Sequence, residues 1–104
     1  MKFRLVIADE IDEDLIYLRI KERNTAITAI NERVAQEPDR ITKHRKQRRS
    51  SSIATWQLSI TNVRIFYDIE LDTLGLPVVI VRRVGEKVGN RLRIGGEWYE
   101  DEKY

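Results

Sequence analysis

The segment from residue 56 to residue 68 constrains the fold most, because it has the pattern of a tight β-hairpin. Strand-forming residues at 56–60 and 63–68 flank Thr61-Asn62, a suitable two-residue turn in which asparagine accepts a positive φ. The register set by this turn places three apolar cross-strand pairs on one face, which is predicted to face the core: Ile60 with Val63, Leu58 with Ile65, and Trp56 with Tyr67. The opposite face then carries residues of mixed character: Gln57, Ser59, Arg64, Phe66 and Asp68.

Two helices are predicted before this hairpin. Asp9 is the expected N-cap of the first helix, and the acidic residues that follow it favour the positive end of the helix dipole. The second helix is predicted to begin near Asn24, to reach Glu37 and to end at Pro38. The first helix carries apolar residues on two sides and is expected to be covered twice: Ile11, Leu15 and Leu18 on one side, Ile16 and Ile20 on the other.

The remaining strands complete a sheet. Residues 2–8 alternate as a first strand, and residues 78–84 are apolar on both faces, as in a central strand. Residues 90–94 and 97–99 form a short terminal hairpin around Gly95-Gly96. The predicted class is α+β, with a two-helix hairpin packed on one face of a mostly antiparallel sheet in the order β-α-α-β-β-β, followed by that hairpin.

Composition excludes several classes of protein. The 104 residues contain no cysteine, which excludes disulfides, thiolate metal sites and cysteine nucleophiles and agrees with a reducing compartment. The longest aliphatic run, residues 78–81, is far shorter than the roughly 20 residues that span a membrane, and the N-terminal apolar stretch is too short for a signal peptide. We expect one cytoplasmic domain over 1–104 with no membrane partner, no small-molecule cofactor and no metal.

Residues 40–49, RITKHRKQRR, form the most strongly charged segment, with six Lys or Arg residues and no acidic residue. Because the net charge of the whole chain is +2, the remaining residues carry a net charge of −4. The segment lies in a polar stretch from 38 to 53 that is predicted to be a long loop, and such loops are usually functional or disordered. Its cations could bind nucleic-acid phosphates or an acidic protein segment, or could simply be solvated: Arg40, Lys43, Arg45, Lys46, Arg48 and Arg49.

Single residues elsewhere could also carry chemistry. Arg64 lies in mid-strand on the face opposite the core, where its guanidinium fork suits a phosphate, although a cross-strand ion pair with Asp68 would also account for it. His44 is the only histidine and could act as a general base, but a polar loop residue is the simpler interpretation. Trp98 and Tyr99 could stack on bases or pack the terminal hairpin against the sheet.

Three segments together resemble the RelE/ParE toxin superfamily. Trp56-Gln57-Leu58 and Val63-Arg64-Ile65-Phe66-Tyr67-Asp68 are similar to the family hairpin, W-x-L followed by x-R-V-x-Y-x-V/D. Residues 78–81 with Val84-Gly85-Glu86-Lys87 resemble its next strand and the I/V-G-x-R/K ending, and residues 89–100 resemble the tails of one branch of RelE-like toxins. The resemblance covers nearly the whole chain and includes the element order.

The resemblance implies the toxin of a type II toxin–antitoxin module, a metal-free endoribonuclease that cuts mRNA on the ribosome and has a cognate antitoxin as its partner. In that chemistry the ribose 2′-hydroxyl attacks the neighbouring phosphate, and cations stabilise the added negative charge. Arg64 matches the family arginine that contacts the scissile phosphate, and Lys87 stands at the position of a second cation. Tyr99 and Tyr104 are the candidates for the C-terminal tyrosine that acts on the 2′-hydroxyl, although their spacing differs from that of the family pattern.

The sequence departs from the family pattern at two positions. RNA-cleaving members carry two lysines on the strand before the turn, where this chain has Gln57 and Ser59. The basic segment 40–49 could supply the missing charge, and the general base is left unassigned. The alternatives are a ParE-like inhibitor of DNA gyrase without catalysis of its own, and a catalytically silent member that binds only an antitoxin or nucleic acid.

Overall fold

The structure is a computed structural model that describes residues 3–48 and 53–99, so that Arg49 and Tyr104 lie outside the described residues. In chain order its elements are β1 (Arg4–Ile7), α1 (Glu10–Ile16), α2 (Ile20–Ala29), a π-helical turn (Ile30–Val34), β2 (Arg45–Gln47), β3 (Trp56–Ile60), β4 (Val63–Leu71), β5 (Pro77–Val88), β6 (Arg91–Ile94) and β7 (Glu97–Tyr99).

The described strands form one sheet of seven in which β5 is central. The strand order is β2-β3-β4-β5-β6-β7, with antiparallel neighbours throughout, and β1 pairs with β5 in parallel. One edge of β5 pairs with β4, while β1 lies opposite residues 78–81 of its other edge and β6 lies opposite residues 85–88. The predicted α+β class, with two helices on a mostly antiparallel sheet, is confirmed.

The β3–β4 hairpin has the register that the sequence predicts. Ile60 pairs with Val63, Leu58 with Ile65, and Trp56 with Tyr67. The predicted turn conformation is wrong in one detail, because the positive φ of 50° belongs to Thr61 and not to Asn62. A positive φ confined to the first central residue is the type II′ pattern, whose twist also suits a hairpin.

The core lies between one sheet face and the helices. Apolar residues of β3, β4 and β5 on this face pack against residues of both helices and the π-helical turn. The opposite face is also covered near the hairpin, where a second buried cluster forms around Phe66 from Ala54, Leu92 and Ile94. The sheet is therefore a layer between two apolar clusters of unequal size.

The helix boundaries differ from those predicted. The first helix ends at Ile16, and Asn24 lies inside α2 instead of capping it. Arg23 of α2 explains the early end, since its guanidinium donates hydrogen bonds to the backbone carbonyls of Leu15, Ile16 and Leu18. Because these carbonyls already accept hydrogen bonds from Arg23, α1 does not have to continue for another turn to provide them with backbone donors.

The expectation that the first helix is covered on both sides is also wrong. Ile16 is 69% exposed and Ile20 is 71% exposed. Ile16 is the last residue of α1 and Ile20 is the first residue of α2, so the two side chains do not share a continuous helical face. No helix within 3–48 and 53–99 combines the length and the apolar character of a membrane span.

Asp14 joins α1 to the middle of β5. Its carboxylate, only 1% exposed, accepts hydrogen bonds from Arg83 Nε and Nη2, both at 2.8 Å, and from the backbone N–H of Val84 at 3.0 Å. Residues 82–84 are the interval of the β5 edge that neither β1 nor β6 covers. The sequence pattern assigns Asp14 to the helix dipole, whereas in the structure its carboxylate completes this strand edge.

We predict that Asp14→Asn lowers the free energy of unfolding by about 3 kcal/mol, because a neutral amide no longer pairs with the Arg83 guanidinium and one of its two ends cannot accept a hydrogen bond. Urea denaturation measures the change. Asp12→Asn is the matched control, since Asp12 is an exposed residue of the same helix and the same substitution there should cost at most about 0.5 kcal/mol. Equal losses in the two variants would show that helix charge, not the link to β5, is the source of the effect.

Candidate functional site

Arg64 lies on β4, on the sheet face that points away from the helices, as the hairpin register predicts. Its neighbours across the strands are Ser59 on β3 and Gly85 on β5. Arg64 is only 8% exposed, which corrects the expectation of a surface residue. The guanidinium Nη1 donates hydrogen bonds to the carbonyl oxygens of Thr61, at 2.8 Å, and Val63, at 2.9 Å. Burial lowers the pKa of the Arg64 guanidinium.

Gly85, the β5 neighbour of Arg64, allows β6 to approach closely. A Cβ atom at Gly85 would lie 2.6 Å from the carbonyl oxygen of Arg93 and 2.6 Å from Cγ1 of Ile94. The absence of a side chain therefore lets β6 approach closely, and Ile94 covers the backbone directly across from Arg64. The second apolar cluster therefore lies on the same sheet face as Arg64. A charge next to apolar groups interacts more strongly with a bound anion than it would in water.

The basic segment is not the long loop that the sequence predicts, because residues 45–47 form the edge strand β2. Arg45 pairs with Leu58, Lys46 with Gln57, and Gln47 with Trp56. Since Leu58 and Trp56 face the helices, alternation places Lys46 on the same face as Gln57 and Arg64. The strand was missed because its residues are polar on both faces, so that it shows no apolar alternation.

Lys46 belongs to a group of cations drawn from three strands. Although the residue is exposed, contact with the sheet surface partly dehydrates its ammonium group, and this burial is the largest cause that lowers the pKa of Lys46. The remaining causes are positive charges close to it on the same side of the sheet: Arg48, Arg64 and Lys87. We call Lys46, Arg48, Arg64 and Lys87 the cation cluster.

Lys87 joins the cluster from the C-terminal end of the central strand β5. It follows Gly85 by two residues on β5 and is half-buried, and its backbone N–H donates a hydrogen bond of 2.7 Å to the carbonyl of Asn62. The hairpin turn therefore holds the end of β5 next to the start of β4. Arg64 and Lys87, the two residues that the family resemblance singles out, thus act on the same neighbour, Lys46.

Gln57 and Ser59 occupy the two positions where a lysine pair was expected. Gln57 is fully buried, its Oε1 accepts a hydrogen bond of 2.8 Å from Arg48 Nη1, and its Nε2 donates one of 3.2 Å to Ser59 Oγ. The strand β3 therefore adds no charge to this face. The Gln57 amide instead accepts a hydrogen bond from the Arg48 guanidinium, and the Ser59 hydroxyl accepts one from that amide.

The other cations of the basic segment lie apart from the cluster or outside the described residues. Arg45 is buried on the helix side, where its guanidinium donates to the carbonyls of Glu37 and Arg33, so that it lies on the sheet face opposite the cation cluster. Arg40 forms an exposed ion pair with Glu37 at 3.1 Å. Lys43 and His44 are exposed in the turn before β2.

The structure does not bring the two C-terminal aromatic residues into the cluster. Tyr99 packs against the second apolar cluster and shares a hydrogen bond with Arg83, and Leu92 separates it from Lys87 in the strand register. Trp98 is partly exposed, with the Arg91 guanidinium 4.1 Å from its ring centre. Among residues 3–48 and 53–99, no three acidic or histidine side chains converge in a way that could hold a metal ion.

Comparisons with known proteins agree with this architecture. A solved structure of the toxin–antitoxin complex RelBE2 from Mycobacterium tuberculosis contains a chain that superposes with a TM-score of 0.65 at 16% sequence identity, over 84% of this chain and 100% of that one. The protein has a RelE-like fold. No protein-family model and no curated protein sequence matches the chain. The resemblance to the RelE/ParE superfamily is thereby confirmed at the level of the fold.

The burial of Arg64 leads to a prediction about stability. Arg64→Ala should lower the free energy of unfolding by about 2 kcal/mol, because it removes two hydrogen bonds from a charged donor in a largely buried place. Lys87→Ala should cost at most about 1 kcal/mol, since its side chain is only half-buried. Chemical denaturation of both variants tests this, and a negligible cost at position 64 would mean that the side chain is held loosely.

Proposed function

We propose that this protein is the toxin of a type II toxin–antitoxin module and that it cleaves mRNA on the ribosome without a metal ion. The observation that carries the proposal is the cation cluster on a RelE-like sheet face, where Arg64 is largely buried on the same side as the second apolar cluster. The likeness to a chain of a toxin–antitoxin complex supports it. A cognate antitoxin and ribosome-bound mRNA are the partners that the proposal requires.

The cluster suits cleavage by the neighbouring ribose hydroxyl. The 2′-hydroxyl gives up its proton to water as its oxygen forms a bond to phosphorus, and negative charge collects on the phosphoryl oxygens. The bond to the 5′-oxygen then breaks, and that oxygen takes up a proton from water. Cations fixed in advance stabilise this charge without having to reorganise during the reaction. Arg64 has the most restricted position, since it is largely buried and its guanidinium donates hydrogen bonds to the carbonyls of Thr61 and Val63. We therefore assign the scissile phosphate to it, with Lys87 as its neighbour.

One observation favours a second candidate, a ParE-like inhibitor of DNA gyrase. The strand before the turn lacks both expected lysines, and Gln57 is committed to hydrogen bonds with Arg48 and Ser59. A protein that binds its target without cleaving it does not need cations at these positions. Separate assays of RNA integrity and DNA supercoiling distinguish the two candidates.

Arg64→Lys is the sharpest variant, because it keeps the positive charge and removes the two-pronged donor. We predict that the variant folds, that induced growth arrest is lost, and that RNA cleavage slows by about 10²-fold, the loss typical of one preorganised donor. Thermal melting measures folding, the integrity of cellular RNA measures cleavage, incorporation of labelled amino acids measures translation, and plasmid supercoiling measures gyrase inhibition.

Arg82→Lys is the matched control. Arg82 lies on the same strand as Lys87, but its guanidinium pairs with Asp68 at 3.0 Å and Glu70 at 3.0 Å, away from the cation cluster. Its substitution should leave toxicity unchanged. If Arg64→Lys stays fully toxic while plasmid supercoiling falls, the gyrase candidate replaces the ribonuclease.

A further inference from the structure

The edge strand β2 is tied to β3 beyond its three paired residues. The backbone N–H of Arg48 donates to the carbonyl of Thr55, and the N–H of Ser59 donates to the carbonyl of His44. The ladder therefore extends from His44 to Arg48. A strand held at five successive positions presents its side chains in a fixed alternation.

Arg45 fixes which side of β2 faces the cluster. It is buried on the helix side, and its guanidinium donates to the carbonyls of Glu37 and Arg33 near the end of the helical region. A slip of one residue would place Lys46 on that side and expose Arg45, because a single-residue shift exchanges the two faces of a strand. The buried arginine consequently keeps Lys46 on the site face.

Lys46 supplies positive charge next to β3, which carries no charged side chain at Gln57 or Ser59. Its cross-strand partner is Gln57, which is buried and uncharged, and Ser59 next along β3 is uncharged as well. Arg64 lies across β3 from this pair of positions, opposite Ser59. A phosphate chain that passes over Gln57 and Ser59 would meet Lys46 on one side and Arg64 on the other.

We propose that β2 is part of the RNA site, in which Lys46 binds the phosphate next to the one at Arg64, and that Arg45 is the residue that positions it. The ligand is the phosphodiester backbone of single-stranded RNA. The inference rests on the proposed function and adds a binding residue from a strand that the family pattern does not include.

The charged groups that surround Lys46 give the proposal a pH signature. The guanidinium groups of Arg48 and Arg64 and the ammonium group of Lys87 lower its pKa, and dehydration lowers it further. Lys46 therefore loses its proton at a lower pH than an ordinary lysine, and its contribution to binding disappears as the pH rises through that value. Lys46→Arg keeps the charge over this range, so RNA binding by this variant should persist to higher pH.

Binding of a single-stranded oligonucleotide with 2′-O-methyl riboses tests the proposal without cleavage. Lys46→Gln should weaken binding about 10-fold near 0.1 M salt and reduce the slope of log K against log salt by about 0.7, the value for one phosphate contact on a single strand. Lys43→Gln, an equal change of charge at an exposed residue three positions earlier, should leave the slope nearly unchanged.

The outcomes separate this inference from the function on which it rests. The role of Lys46 is overturned if Lys46→Gln and Lys43→Gln have equal effects on RNA binding. It is also overturned if binding by Lys46→Arg falls at the same pH as binding by the wild type. Neither outcome changes the result for Arg64→Lys. If neither Lys46→Gln nor Arg64→Lys alters RNA binding or cleavage, the proposed function itself fails.

The positioning role of Arg45 has its own readout. Arg45→Gln should weaken binding of the same oligonucleotide about as much as Lys46→Gln does, and the double variant should bind no more weakly than either single variant, because both changes remove one contact. Additive losses in the double variant would show that Arg45 acts only through general stability. Circular dichroism of each variant confirms that the comparison is made between folded proteins.

Discussion

Alternation of side chains along β3, β4 and β5 is the constraint on which the rest of this structure depends. Successive residues of a strand point to opposite faces, so the register of one hairpin assigns the side chains of β3 and β4 to one of two environments. A β-bulge in β5 opposite Phe66 and Tyr67 shifts the alternation of that strand by one residue. Trp56, Leu58 and Ile65 go to the face that the helices cover. Arg64 goes to the other face, because it lies one position away from Val63 and Ile65 on the same strand.

The second face combines an apolar cluster with a concentration of positive charge. Phe66 and Ile94 are fully or almost fully buried there, and the cations of β2, β4 and β5 gather beside them. Placing like charges close together and partly out of water costs free energy, and the chain offsets part of this cost with hydrogen bonds from Arg64 and Arg48. A bound polyanion would relieve the remaining repulsion, which is why we connect this face to function.

Sequence patterns predicted the features that depend on neighbours along the chain. The β3–β4 register follows from apolar alternation around a two-residue turn, and the terminal hairpin follows from Gly95-Gly96, both of which have positive φ. The predictions are wrong where residues that are distant along the chain determine the local structure. The first helix ends early because Arg23 caps it from the next helix, and Gly85 lets β6 approach the strand next to Arg64.

The candidate site could be predicted only in part, because its geometry also depends on residues that are distant along the chain. The hairpin register and the family pattern both indicate Arg64, the family pattern alone indicates Lys87, and the structure brings the two near a common neighbour. Lys46 was recognised only as one charge among six, because a strand without apolar residues cannot be distinguished from a basic loop by its periodicity. Its environment becomes visible only when Arg45, buried on the opposite side, fixes the strand.

If this sheet face cuts RNA, the chemical groups at the ends of the RNA fragments will show it. Total RNA from cells in which the protein is briefly induced can be sequenced from its 5′-hydroxyl ends. We predict new 5′-hydroxyl ends inside translated reading frames, matched by 2′,3′-cyclic phosphates on the upstream fragments, because the 2′-oxygen is the attacking group. Intact messages in growth-arrested cells, together with a loss of DNA supercoiling, would contradict it.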